Sequence, residues 1–186
     1  MLSRVAQIRD LLRDGFRWRG DRTDPDYRAD PTGWWRDAQT LQLLGPALAA
    51  LNTSGEEPTV VLAPQSRGTL LGALVATHLR LGLVEVRKDP RPAADSDVWR
   101  VRTTPPDYRD RHLEMGFRKA LVKSGDRVLF VDDWIATGGQ ALTTRALVAE
   151  AGATWLGAAV IVDALETPSA RRQLVLKSLL RVHDLI

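Results

Sequence analysis

Residues 128–140 constrain the fold of this chain more than any other stretch. Val128–Val131 is a continuous apolar run, the pattern of a parallel strand buried on both faces. Two carboxylates, Asp132 and Asp133, follow at once, then Trp134, Ile135 and Ala136, then Thr137-Gly138-Gly139-Gln140. From Ala141 to Ala151 the residues suit a helix. Strand, glycine turn and helix in that order predict an α/β unit, and in open α/β sheets ligands bind beyond the carboxyl ends of the strands. Asp132 and Asp133 would stand at such an end. Gly138 and Gly139 let a ligand approach the backbone closely. The unpaired N–H groups at the start of the next helix suit a phosphate. One segment therefore joins carboxylates, able to hold hydroxyls or a metal, to a phosphate cradle.

That pairing suits a sugar phosphate better than a nucleoside triphosphate. No lysine follows Gly139, so the Gly-x-x-x-x-Gly-Lys-Ser/Thr loop is missing, as is the Gly-x-Gly-x-x-Gly dinucleotide turn. The segment resembles the phosphoribosyl-diphosphate (PRPP) motif of type I phosphoribosyltransferases. The resemblance implies that Asp132 and Asp133 hold the ribose 2- and 3-hydroxyls. It also implies that Ala136, Thr137, Gly138, Gly139, Gln140 and Ala141 surround the 5-phosphate. An ordinary strand–turn–helix with solvated acids is the plain alternative. Two departures stand out: Trp134 is bulkier than the aliphatic residue usual after the acids, and Gln140 replaces the common Thr, removing a hydroxyl donor.

A second strand–loop–helix unit lies at Ala63-Pro64-Gln65-Ser66-Arg67-Gly68. Ser66 and Gly68 offer donors and backbone freedom at a helix start, and Arg67 a planar fork suited to diphosphate. By residues alone a simple helix cap with a surface Arg explains it equally. The segment resembles the Ser-Arg-Gly diphosphate loop of adenine phosphoribosyltransferases, which implies a cis peptide at Gln65–Ser66. The same relatives place an Arg-Lys pair on the diphosphate, here Arg87 and Lys88. Asp107-Tyr108 and Leu113-Glu114-Met115 are similar to the later part of their flexible loop, with Asp107 for Glu and Arg109 for Gly. Asp30-Pro31 and Trp34-Trp35 echo the N-terminal hood of the adenine enzymes, whose Pro-Gly-x-x-Phe-Arg-Asp signature is missing. Phe16, Trp18, Trp34 and Trp35 could stack on a base or serve as core or subunit-contact residues. His78, His112 and His183 read as surface or cap residues.

The alternation of strands and helices predicts a mostly parallel sheet flanked by helices. Helices are expected at 2–14, 34–51, 69–81 and 141–151, and strands at 59–63, 83–86, 113–117, 127–132 and 154–162. A last strand or short helix is expected at 175–182. Residues 15–33 read as loop. Residues 88–111, with four prolines and many charges, read as a mobile lid with a hairpin around 98–101. At 186 residues the chain suits one domain, with a hood segment in 1–58.

Composition narrows the setting. Hydrophobic residues make up 44%, enough for a core, and no apolar run of about eighteen residues predicts a membrane helix. The N-terminus lacks the apolar centre of a signal peptide, so a cytoplasmic location is expected. With no cysteine, thiolate chemistry and disulfides are excluded. The net charge of +3 comes from scattered residues with no polybasic block, so no nucleic-acid partner is expected.

The type I resemblance implies a transferase that moves 5-phosphoribosyl from PRPP to a nitrogenous base, adenine-like first, as in purine salvage. The implied catalytic residues are Asp132, Asp133, Arg67 and Lys88, with Trp134 and Ile135 beside the base. No direct protein ligand to a metal is implied; Mg2+ would arrive through the substrate. A homodimer is implied as well. Other members of this fold sense PRPP or nucleotides without turnover, and others act on other bases; both readings stay open.

Overall fold

The computed structural model describes residues 2–21, 23, 27–105 and 112–186. The first part of the chain runs α1 (Leu2–Gly15), β1 (Arg17–Arg19), β2 (Arg28–Asp30), α2 (Thr32–Arg36) and α3 (Ala38–Ala49). Next come β3 (Val60–Pro64), α4 (Arg67–Leu79), β4 (Gly82–Lys88), β5 (Trp99–Thr103) and β6 (Glu114–Arg118). The chain closes with β7 (Arg127–Ile135), α5 (Gly139–Glu150), β8 (Thr154–Asp163), α6 (Pro168–Leu174) and β9 (Leu176–Arg181).

The apolar runs predicted as buried strands form the middle of a seven-stranded sheet of order β5-β6-β4-β3-β7-β8-β9. Strands β4, β3, β7, β8 and β9 are parallel, while β6 and β5 add antiparallel at one edge. All five residues of β3 are buried, because the sheet is covered on both faces. On one face Leu62, Val86, Phe117, Phe130 and Val160 pack with Ala141, Leu147 and Val148 of α5. On the other, Val61, Leu129, Val131 and Ile161 pack with Leu71 and Val75 of α4, Leu44 and Leu48 of α3, and Ile8 and Leu12 of α1. Gly72 lets α4 lie close on the sheet, since a Cβ there would come 2.7 Å from both Ala63 Cβ and Leu83 Cδ1.

Chain direction decides where a site can form. From β3 the chain passes through α4 to β4 on one side; from β7 it passes through α5 to β8 on the other. With α4 and α5 on opposite faces, the crevice between the carboxyl ends of β3 and β7 is a topological switch point, where such sheets bind ligands.

Several expectations need correction. Residues 15–33 are not all loop: β1 and β2 pair antiparallel, with Trp18 opposite Ala29. These strands are three residues long, too short for an alternating pattern, and tertiary packing holds them. Trp18 stacks on Tyr27 with ring centroids 4.8 Å apart and meets Phe16 edge-on at 5.2 Å. The single helix expected over 34–51 is two, because Asp37 caps α3 by accepting from Thr40 N (2.6 Å) and Thr40 Oγ1 (2.7 Å). Within 88–111 the expected hairpin around 98–101 is instead strand β5, whose partner is β6, with Val101 opposite Gly116. Asp107, Tyr108 and Arg109 lie outside the described residues. Helix α6 was unforeseen, although Thr167-Pro168 is a fair start signal with Pro in the first turn. Among the described residues, no helix is long and apolar enough to cross a membrane.

Candidate active site

At the crevice lies a cavity of about 490 Å³, open to solvent. Its walls come from both predicted strand–loop–helix units: Pro64 to Gly68 from the first, and Asp132 to Ala141 from the second. The long strand β7 carries the acids inward. Asp132 and Asp133 are 9% and 6% exposed, so two carboxylates sit side by side away from bulk water. Asp132 Oδ1 accepts from Asp133 N at 2.8 Å. Burial, and then the neighbouring Asp133 charge, push the Asp132 carboxyl well above the ordinary range, while Lys88 opposes the rise. Such a pair favours a ligand that brings hydrogen-bond donors or positive charge.

Arg67, at the start of α4, places Nε 2.9 Å from Asp133 Oδ2 with its side chain half exposed. Arg67 also lines the cavity. Gly68 is required by close approach: a Cβ there would stand 2.6 Å from Pro64 Cδ and 3.0 Å from Asp132 Oδ1. The Gln65–Ser66 peptide is cis, as the resemblance implied. Gln65 links this loop to β4, accepting from Lys88 N at 3.3 Å through its side chain and donating its own N–H to Val86 O at 3.0 Å. Lys88 lines the cavity.

The second loop turns at Gly138, whose φ of +80° belongs to the left-handed region. That turn sets Gly138 as the N-cap of α5 and leaves the first-turn N–H groups of Gly139, Gln140 and Ala141 beside the cavity. Thr137 Oγ1 reaches only weakly towards Gly139 N, at 3.4 Å. The partial positive charge of the α5 terminus adds to that of Arg67 and Lys88, so the cavity has two cationic flanks around an acidic floor. This arrangement can hold two separate phosphate groups with a hydroxyl-bearing ring between them.

Of the residues singled out from sequence, Ser66, Arg67, Gly68, Lys88, Asp132, Asp133, Trp134, Ile135 and the whole run Ala136–Ala141 meet in this cavity. Arg87 does not line it. Its side chain is exposed with Nε 3.9 Å from Glu85 Oε2, because alternate residues of a strand face opposite ways. Phe16 and Trp34 are core residues, 4% and 0% exposed, and Trp34 Nε1 donates to Leu12 O at 2.7 Å. Neither they nor Trp18 and Trp35 line the cavity. Phe16 does stack behind Trp134 with centroids 6.1 Å apart. His112 Nδ1 lies 3.0 Å from Thr104 O, and His78 and His183 are exposed. Sequence reasoning missed Ala29, Pro31 and Leu113 as cavity residues. They carry no polar signature, and the hairpin and sheet edge alone bring them there.

Comparison with known proteins agrees with this geometry. Residues 38–184 match the phosphoribosyl transferase domain. The chain is 38% identical to the adenine phosphoribosyltransferase of Maricaulis maris over 164 residues, 81% of this chain and 86% of that protein. It is 33% identical to the adenine phosphoribosyltransferase of a Synechococcus strain over 163 residues, 86% of this chain and 84% of the other. The crystal structure of the Rhodothermus marinus adenine phosphoribosyltransferase superposes with a TM-score of 0.78 at 28% identity, covering 95% of this chain and 99% of that one. The chain therefore belongs to the phosphoribosyltransferase family and has its α/β fold and its class of enzyme activity.

Proposed function

We propose that this enzyme transfers 5-phosphoribosyl from PRPP to a purine, adenine being the first candidate, and releases diphosphate in purine salvage. One observation carries the reading: two buried carboxylates lie between the starts of α4 and α5, each start flanked by donors. PRPP has the matching order of groups: a diphosphate at C1, a diol, and a phosphate at C5. A cavity of about 490 Å³ is large enough to enclose much of such a ligand.

In the proposed complex Asp132 and Asp133 accept from the ribose hydroxyls. Thr137 to Ala141 donate backbone N–H groups to the 5-phosphate, and Ser66, Arg67, Gly68 and Lys88 take the diphosphate. The base lies against Trp134 and Ile135, with Ala29, Pro31 and Leu113 completing an apolar wall suited to a flat, uncharged ring. The bond from C1 to the diphosphate oxygen breaks and its electron pair leaves with diphosphate. A base nitrogen supplies the pair for the new C1–N bond and gives up its proton, for which Asp133 is the candidate acceptor. Positive charge builds on the ribose ring near the two acids, and negative charge builds on the leaving group near Arg67 and Lys88, so catalysis rests on positioning and electrostatics.

Mg2+ fits this donor set. It keeps several waters and takes one or two carboxylates plus substrate phosphates. In the proposed complex the ribose hydroxyls take Asp132 and Asp133, so Mg2+ would be held by substrate oxygens and water with these acids beside it. Its charge would offset that of the departing diphosphate, beside Arg67 and Lys88. The resemblance to type I enzymes also supports a homodimer and a hood and lid around one domain. A cytoplasmic setting accords with a highly charged substrate that does not cross membranes.

The test is diphosphate release from PRPP with Mg2+ across a panel of purines and pyrimidines, with product mass measured. Turnover with adenine alone is the expected result. PRPP binding without turnover on any base would overturn the catalytic assignment, and turnover with another base would overturn only the acceptor.

A further inference from the structure

Behind the phosphate turn, outside the cavity wall, lies a partly buried ion pair. Asp163 ends β8 and is 5% exposed. Arg171 of α6 grips it side-on with one edge of its guanidinium: Nε to Oδ2 at 2.7 Å and Nη2 to Oδ1 at 3.1 Å. Asp163 Oδ1 also accepts from Leu165 N at 2.9 Å, and Arg171 Nη2 donates to Leu165 O. The pair thus fixes both backbone groups of Leu165. The preceding residue is tied to the site strand, since Ala164 N donates to Ile135 O at 2.9 Å. Leu165 is 4% exposed, and its Cδ1 lies 3.1 Å from where a Cβ on Gly138 would stand.

A bidentate pair that only joined α6 to the sheet would have no reason to reach both N–H and C=O of one loop residue. We infer that Asp163 and Arg171 are positioning residues that hold Leu165 as a backstop for the Gly138 turn, and so pre-set the N–H groups that take the 5-phosphate. This rests on the reading of 137–141 as the 5-phosphate site. Neither residue lines the cavity, so neither is expected to touch substrate. Their effect falls on one end of the ligand. Ribose 5-phosphate, which needs the Gly138 turn, depends on the pair. Diphosphate, held by the Ser66–Gly68 loop, does not.

The test compares calorimetric binding of ribose 5-phosphate and of magnesium diphosphate by the full chain carrying Arg171→Met or Arg171→Lys. Displacing a preset group by a fraction of an ångström weakens binding substantially, so Arg171→Met should lose roughly ten- to a hundredfold in ribose 5-phosphate affinity. Its diphosphate affinity should stay within roughly twofold of the parent, a change of less than half a kcal/mol. Arg171→Lys keeps a charge for Asp163 but lacks the planar fork that also reaches Leu165, so its loss should be intermediate. It also carries the test if the Met variant fails to fold. A purely structural role would lower the melting temperature and weaken both ligands alike, or neither, and either pattern would overturn the inference. If the parent protein binds diphosphate but not ribose 5-phosphate, the 5-phosphate reading itself falls, and this inference with it.

Discussion

Replacing Gly138 with Ala tests the phosphate turn most directly. At φ +80° an L-residue is disfavoured by roughly 1–2 kcal/mol. The new Cβ would also lie 3.1 Å from Leu165 Cδ1, with Leu174 Cδ1 at 3.8 Å and Leu142 Cδ1 at 3.9 Å. Leu165 is 4% exposed with its backbone held by Asp163 and Arg171, so its side chain can yield only by repacking. Taking the low end of each, about 1 kcal/mol for the backbone and about 1 kcal/mol for overpacking, the two effects together come to about 2 kcal/mol. That energy has two places to appear. If the turn is kept, it lowers stability, and for a chain of this size 2 kcal/mol is about 4–8 °C in melting temperature. If the turn relaxes when empty, the ligand must restore it, and 2 kcal/mol is about thirtyfold in affinity. Thermal unfolding and calorimetric titration with ribose 5-phosphate measure the two parts, which should sum to about 2 kcal/mol. Gly55→Ala is the control: its φ is +82° and nothing lies within 4 Å of the added Cβ, so it carries the backbone cost without the contact or the site. Equal losses of melting temperature in the two variants, with ribose 5-phosphate affinity unchanged in both, would refute a phosphate cradle at Gly138.

Asp132→Asn should raise stability at neutral pH while abolishing turnover. The Asp132 carboxyl is pushed up in the folded chain, so the folded state holds the proton more tightly than the unfolded one, and stability falls as pH rises through that raised value. The gain of the variant over the parent in urea midpoint should therefore grow from acid pH and level off once the carboxylate is fully ionised; parallel profiles would refute this. Arg67→Gln should weaken diphosphate more than ribose 5-phosphate, since Arg67 flanks Asp133 on the α4 side, away from the Gly138 turn. Equal losses would remove Arg67 from the diphosphate loop. Trp134→Leu should weaken base binding by roughly two- to tenfold, the worth of one aromatic contact, with PRPP affinity unchanged. An unaltered Michaelis constant for the base would place the ring outside the base pocket.

The strands were legible where burial on two faces demands unbroken apolar runs, as in Val60–Ala63, Val128–Val131 and Leu156–Val162. The loops that matter were legible for a different reason. Helix starts suited to phosphate need small residues and backbone donors in immediate succession, so the proposed roles of Ser66-Arg67-Gly68 and Thr137-Gly138-Gly139 can be read locally. The β1–β2 hairpin was not legible. Strands β1 and β2 are three residues each, and they stand because Trp18 stacks on Tyr27 while Phe16 and Trp18 both pack on Trp134, more than a hundred positions away. Arg87 was misplaced because adjacency in sequence says nothing about which way a strand residue points until the sheet fixes its faces.

Residue order alone thus determined the fold class, the two phosphate-type loops and the paired acids, because each depends on neighbours within about a dozen positions. Only the tertiary structure decided that α4 and α5 begin on opposite sides of one crevice, and that Arg67 pairs with Asp133. It alone showed Ala29, Pro31 and Leu113 closing the wall, and Asp163 and Arg171 standing behind the turn. Those relations join distant segments. They follow from chain direction through the sheet and from burial energy summed over many residues, neither of which any short stretch of sequence contains.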